Sequence, residues 1–408
     1  MPTADSRAEE WAQFRGPNGQ GRSDARGLPL RFSETENVVW KTPIAGKGWS
    51  SPVILGNDIW MTTSIDSGKS LRAVCVDLNS GSIKHDVEAF APKEPLAINE
   101  KNSHASPTPV VEQGRVYVHF GAMGTACVDA ESGEVLWRNN EHVIDHKEGP
   151  GSSPVGFENL LIFNCDGQDK QYVVALHKKD GSLAWSTNRS APLRAKIDFR
   201  KAYATPTIIT VDGKHQQLVS TGADQVQGYD PRTGRELWQV RYVGFSNVPI
   251  PLFADGLVYL CTGYMTPELW AIKPDGSGNV TETHVVWKFK KQVPANSSPV
   301  YADGRIYFTS DKGVATCIDA KEGTQVWQQR LGDNYSASPL YADGRIYFCN
   351  EGGKVTIIEA GPKYKVLATN QLEGRFMASP AVHGKSLILR TDTHLYRIEE
   401  STAAVGQK

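Results

Sequence analysis

All-β architecture built from repeated four-stranded units is what the sequence predicts, and three observations carry that reading. The octapeptide "YADGRIYF" stands at residues 301–308 and again at 341–348, each time behind a Ser-Pro pair. A related unit begins at Pro52, Pro109, Pro154, Pro206, Pro251, Pro299, Pro339 and Pro380, at intervals of 40 to 57 residues. Four of these units carry a Gly-containing turn followed four residues later by Trp, as in "CVDAESGEVLW" and "CIDAKEGTQVW". A period in this range marks a repeat architecture. Four short strands bury too little to stand alone, so the units must stack radially as the blades of an eight-bladed β-propeller.

Within each unit the elements follow in order. The Pro opens a short apolar strand that ends in a turn such as "YADGR", "FADGL" or "TVDGK", and alternating residues such as "RIYF" or "LVYL" form the second strand. A third strand leads to the second turn, whose Gly tolerates a positive φ, and the fourth strand carries Trp. Trp137, Trp185, Trp238, Trp287 and Trp327 are therefore expected as packing pegs between blades. The first unit has His85 at the Trp position and the seventh reads "KVLAT", so weaker contacts are expected there. The eighth unit stops after "HLYRIEE" without a fourth strand, whereas "ENVVWKTPI" at 36–44 resembles "THVVWKFK" at 283–290. The N-terminal strand around Trp40 should complete the last blade and remove the open sheet edge. This divides the chain into an extension packing on the propeller (1–35), a single propeller (36–400) and a disordered tail (401–408).

The 408 residues are 39% hydrophobic and 22% charged with a formal net charge of -1, so no global field draws the chain to nucleic acid or an anionic membrane. No apolar run approaches the roughly 20 residues that span a bilayer, and "MPTADSRAEE" lacks the apolar stretch of a secretory signal. A soluble monomer is expected. It would be cytoplasmic as written, and periplasmic or secreted if a signal has been trimmed. The six cysteines form no CxxC and no adjacent pair, and "TACVDA" and "ATCIDA" place them as small core residues.

Residues just before each repeat Pro should converge on one mouth of the central channel, the default ligand site of such a fold. Trp49, His104, Lys201, Tyr203, Asn247, Asn296, Tyr335 and Met377 are the expected lining, and the long connections 86–103, 139–149 and 186–202 reach the same face. None of His104, Lys201 and Tyr203 belongs to the repeating core pattern, so they are expected to be replaceable at about 1 kcal/mol or less each. "PLRAKIDFRK" places Arg194, Lys196 and Arg200 where they could hold an anion. His142 and His146, spaced by four with Glu141 and Asp145 nearby, could begin a metal site, but no third ligand is evident and no metal is expected.

The stretches "WAQFRGPNGQGRSDARGLP" and "VVWKTPIAGKGWSSPVILGNDIW", with the repeats, resemble the bacterial pyrroloquinoline-quinone-like eight-bladed propeller proteins from Trp11 to about Glu400. That resemblance implies the same fold and two kinds of function, quinone-dependent dehydrogenases and scaffolds of outer-membrane assembly. The enzymes would imply a quinone with calcium over a Trp floor, a carboxylate base and often a disulfide between adjacent cysteines. Adjacent cysteines are missing here, and neither Asp166, Asp198 and Asp224 as carboxylates nor Trp49 or Trp270 as a floor matches a motif residue by residue. GxSxG, HExxH and P-loop signatures are also missing. The expected function is a non-catalytic binding or scaffold propeller for a protein or small-molecule partner, with no cofactor. A dehydrogenase using pyrroloquinoline quinone and calcium, or a carbohydrate-active propeller, stands as the alternative.

Overall fold

The structure, a computed structural model, describes residues 10–401. The part of the expected C-terminal tail from 402 onward lies outside them. Among the described residues there are eight sheets, each with four antiparallel blade strands, and together they make an eight-bladed β-propeller. Blade 1 consists of Val53–Leu55, Asp58–Ile65, Ser70–Asp77 and Ile83–Phe90, the first strand innermost. Blades 2 to 7 follow at 110–139, 155–188, 207–241, 252–289, 300–330 and 340–371. Blade 8 takes three strands from the C-terminal end, and Val38–Pro43 adds antiparallel to His394–Ile398 with Trp40 opposite Arg397. Ring closure is thus by the N-terminal strand, as the sequence predicts.

The outer-strand tryptophans work as pegs: four of them face a small residue in their own blade, and Trp40, Trp137, Trp185 and Trp287 each rest on a glycine of the next. Trp137 pairs with Cys127, Trp185 with Ala175, Trp287 with Ala271 and Trp327 with Cys317 on the adjoining third strand. Their indole Nε1 groups donate to backbone carbonyls of the following blade, Trp137 to Lys178 at 3.0 Å and Trp40 to Leu78 at 2.8 Å. Gly181 (φ +73°) receives the Trp137 ring, and a Cβ there would come within 2.5 Å of it. His85 occupies the same seat against Gly133 and stacks on Trp60 at 5.7 Å. Trp238 departs from the pattern, turning inward to Gln217 at 2.7 Å over Gly228 of its own blade. In blade 7 the peg position is Ala368, and Leu28 and Phe32 of the N-terminal segment join the core around it. Asn370 fixes that segment, accepting from Phe32 N at 3.0 Å and donating to Leu30 O at 3.1 Å.

The Ser-Pro and Thr-Pro pairs build a belt of hydrogen bonds around the axis. The amide of Ser51 donates to Thr108 Oγ1, Thr108 to Ser153 Oγ and Ser153 to Thr205 Oγ1, all at 2.9 Å. Ile250 donates to Ser298 Oγ at 3.1 Å, Ser298 to Ser338 Oγ at 2.9 Å, Ser338 to Ser379 Oγ at 3.0 Å, and Ser379 back to Ser51 Oγ at 2.9 Å. The belt breaks between Thr205 and blade 5, where Ile250 has no hydroxyl. There Thr207 Oγ1 donates to Pro251 O at 3.0 Å instead.

Residues 11–23 enter the ring from the face opposite the mouth. Trp11 bridges Ile54, Ala12 O accepts from Val111 N at 2.8 Å, Gln20 Oε1 accepts from Phe253 N at 2.9 Å, and Arg22–Ser23 pairs parallel to Tyr341–Ala342. Arg15, 1% exposed, reaches into the ring and donates to Pro299 O at 2.6 Å and Gln20 O at 3.0 Å. Burial lowers its pKa to about 9. A guanidinium held by carbonyl dipoles and, among the described residues, by no carboxylate is an expensive device, and it anchors this segment as a cork.

Candidate functional site: the mouth face

Two structures dominate the mouth. The first is a strap, residues 91–103, that leaves blade 1 and arches over the opening. Lys101 Nζ meets Glu351 of blade 7 at 2.8 Å, Lys47 Nζ donates to Glu100 O at 3.1 Å, and Trp49 Nε1 donates to Lys101 O at 2.9 Å. On the other side Asn99 Nδ2 reaches Glu148 Oε2 at 3.0 Å, and Asn102 Nδ2 reaches Glu148 O at 2.8 Å. Although burial opposes it, hydrogen bonds from Lys101 and Ser336 hold the Glu351 carboxyl below its ordinary range. Asp311, next to this lattice, is pushed up by burial and accepts from Asn296 N at 3.1 Å.

The strap explains where the expected lining residues went. Trp49, Asn296 and Met377 are half-buried at the mouth, with Lys47 Nζ 5.2 Å above the Trp49 ring and Arg375 Nη2 3.8 Å from Met377 Sδ. His104, Lys201 and Tyr203 are buried, at 6%, 4% and 7% exposure. His104 Nε2 contacts Leu96 O at 2.8 Å, Lys201 Nζ donates to Asp198 O at 3.0 Å, and the Tyr203 hydroxyl donates to His146 O at 2.7 Å. These three are packing groups, so the expectation that they could be replaced at little cost to the fold is corrected: loops fold back over them. Asn247 and Tyr335 are fully buried between blades. Asn247 and Tyr203 do meet, through Tyr203 N donating to Asn247 O at 2.7 Å.

The second structure is an exposed aromatic and aliphatic patch that the repeat pattern gave no reason to single out. Phe199 packs at a tilt on the buried Phe245 with ring centres 4.6 Å apart, and Tyr264 meets Phe245 edge-on at 5.8 Å. Around them Leu193, Ile197, Val243, Tyr264 and Met265 are 48%, 53%, 81%, 51% and 67% exposed. The basic loop is part of this patch. Arg194 lies 5.3 Å over Phe199 and pairs through both ends of its guanidinium with Asp224. Lys196 Nζ sits 4.7 Å over Phe199, and Arg200 Nε donates to Arg194 O at 2.6 Å. Among the described residues neither Lys196 nor Arg200 has a carboxylate partner. The signal available in the sequence was local, namely apolar residues at Leu193, Ile197 and Phe199 inside a basic loop.

His142 and His146 come near a third histidine, His119, but around a phenylalanine. Phe163 lies 4.3 Å from His119 and 6.1 Å from His142. His146 Nε2 accepts from Ala122 N at 2.9 Å, while His146 Nδ1 and His142 Nε2 are buried without a partner among the described residues. Burial lowers His119 to about 3 and His146 to about 4, so both are neutral. No group of three or more His, Cys, Asp or Glu stands close enough to share a metal among the described residues.

The fold is shared with proteins of several kinds. The quinohemoprotein alcohol dehydrogenase of Comamonas testosteroni superposes with a TM-score of 0.69 at 10% identity, over 98% of this chain and 82% of that one. BamB of Moraxella catarrhalis superposes with a TM-score of 0.60 at 13% identity, over 88% of this chain and 99% of that one. The tetrathionate hydrolase of Acidithiobacillus ferrooxidans is 18% identical over 326 residues, 74% of this chain, and the match spans 62% of that protein's length. The family profile described as "Outer membrane protein assembly factor BamB" matches residues 31–140, 122–282 and 278–362, most of the repeats traced above, and this chain belongs to that family.

Proposed function

We infer that the protein is a non-catalytic docking propeller whose mouth face receives a protein partner. The observation that carries this reading is the patch around Phe199, Phe245 and Tyr264. Interface centres are enriched in aromatic residues, Met and Arg, and a contiguous exposed apolar cluster of this kind on a soluble fold marks an interaction surface. Lys196 and Arg200 at its rim favour a partner segment that is apolar with acidic flanks, because opposite charge speeds encounter and fixes orientation. Phe199 belongs to the basic loop and packs on the buried Phe245, so the surface is formed before binding. An extracytoplasmic place of action goes with this reading through the family.

The quinone-and-calcium alternative finds little in the residues present. Asp166 is fully buried in a pair with Arg189 at 2.6 Å, Asp224 is taken by Arg194, and Asp198 is taken by Lys147 at 2.5 Å. Trp270 is spent on Glu268 at 2.9 Å, with Lys288 over its ring, and Trp49 on the strap. The reading therefore takes no cofactor.

The test is a photo-crosslinker placed at Ile197 in the native host, compared with the same chain carrying Met265→Asp and Lys196→Glu. The patch variants should lose the crosslinked partner, or weaken it at least tenfold, with a melting temperature within about 2 °C of wild type. Undiminished crosslinking would place the docking surface elsewhere.

A further inference from the structure

The first tyrosines of the two identical octapeptides, Tyr301 and Tyr341, stand at the end of the ring opposite the mouth, and the Arg22 guanidinium lies over both. Its Cζ is 5.6 Å from one ring centre and 5.3 Å from the other. Each ring is fixed at its tip by the turn of the preceding blade: the Tyr301 hydroxyl donates to Asp255, and the Tyr341 hydroxyl donates to Asp303 at 3.3 Å. The backbone of Arg22 is fixed by its pairing with Tyr341. The repeated "YADG" therefore sets two aromatic faces under one cation and uses its carboxylates on the hydroxyls. Among the described residues Arg22 is left with no carboxylate partner and no hydrogen-bond acceptor.

Beside this arginine lies a cavity of about 440 Å³, bounded by residues 17–24 on one side and by the inner strands of blades 4, 5 and 6 on the other. Phe253 and Tyr301 give it aromatic walls, and Asn18 and Thr210 are among its polar lining residues. The inner strand Thr207–Val211 is paired on its outer side, with Leu218 to Val219 among its partners, and presents its other edge here. Such a volume is in the range of small-molecule sites, which combine apolar walls with a few placed polar groups.

We propose that this cavity binds a small aromatic monocarboxylate. The guanidinium takes the carboxylate through two parallel N–H donors, the recognition to which its planar fork is suited. The ring of the ligand lies along Phe253, and Asn18 and Thr210 meet its polar substituents. One guanidinium pairs with one carboxylate, and an aromatic ligand adds a contact with Phe253 that inorganic phosphate lacks, which selects an aromatic monocarboxylate over a phosphate. The site is at the opposite end of the ring from the docking patch and is independent of it.

The experiment is calorimetric titration of the full chain with 2-naphthoate, with neutral 2-naphthamide and with inorganic phosphate, on wild type, Arg22→Gln and Arg22→Lys. The expected result is one saturable site for naphthoate, weakened at least tenfold by Arg22→Gln and less by Arg22→Lys, with weak naphthamide binding that neither variant changes. Melting curves for each variant separate lost binding from lost fold, and Arg22→Lys carries the comparison if Arg22→Gln unfolds. The proposal is overturned by the absence of saturable naphthoate binding to millimolar concentration, by folded variants that bind it as wild type does, or by phosphate binding the site more tightly than naphthoate.

Discussion

Trp137 carries three roles at once: it fills the space left by Cys127, rests on Gly181 and donates to Lys178 O. Trp137→Ala should cost about 3–5 kcal/mol, as large buried aromatics do, measured by urea unfolding. A cost below about 1 kcal/mol would mean the blades are held by something else. The histidines near Phe163 set a pH dependence of the opposite origin. Burial lowers all three: for His119 the neighbouring His146 and His142 act in the same direction, whereas for His146 it outweighs Asp145 and Asp169 and for His142 it outweighs Glu141. A folded value below the unfolded value of about 6.5 means that the unfolded chain takes up protons first as pH falls. Stability from these groups is therefore full above about pH 6.5 and is lost on descent toward the folded values near 4 and 3. The melting temperature should fall between pH 7 and pH 4.5, and His146→Gln, which keeps an acceptor for Ala122 N, should flatten the slope. A slope that His146→Gln leaves unchanged would assign the acid sensitivity to other groups.

At the scale of the element, the short Ser-Pro signal turns out to be a joint. Its place at strand starts was legible in the sequence, because Pro ends one connection and a hydroxyl residue before it suits a turn. What the hydroxyl does was not legible, because its acceptor role is to the neighbouring blade, some 40 residues away, as from Ser298 N to Ser338 Oγ. Ser338→Ala leaves a buried amide without an acceptor and should cost about 1–3 kcal/mol, whereas Ser338→Thr keeps the oxygen and should cost less. Equal costs for the two variants, read by denaturant midpoint, would remove the belt from the list of forces that hold the ring. The same limit hid the true state of His104, Lys201 and Tyr203. Periodicity located them beside the mouth, but their burial depends on how the strap and the loop 186–202 fold back, which no local pattern encodes. Phe199, Phe245 and Tyr264 were invisible for the converse reason: they come from different connections and share no repeat.

For the whole molecule, the sequence was most informative where it repeats. Eight units, a missing last strand and a matching "VVW" near the N-terminus led directly to a closed ring, and Trp40 opposite Arg397 completes it. The depth of the N-terminal contribution was not legible. Beyond the closing strand, Leu28 and Phe32 cover the missing peg at Ala368, and residues 11–23 tie together the inner strands of blades 1, 2, 5 and 7 and, through Arg15, the start of blade 6. No helix among the described residues is long and apolar enough to cross a membrane. The direct test is removal of residues 1–44, with the melting temperature and the mass in solution compared with those of the full chain, and with a peptide of residues 10–44 added back. The truncated chain should melt at least 10 °C lower and self-associate through the exposed edge of His394–Ile398, and the peptide should reverse both changes. A truncated chain that stays monomeric with an unchanged melting temperature would contradict closure by the N-terminal segment.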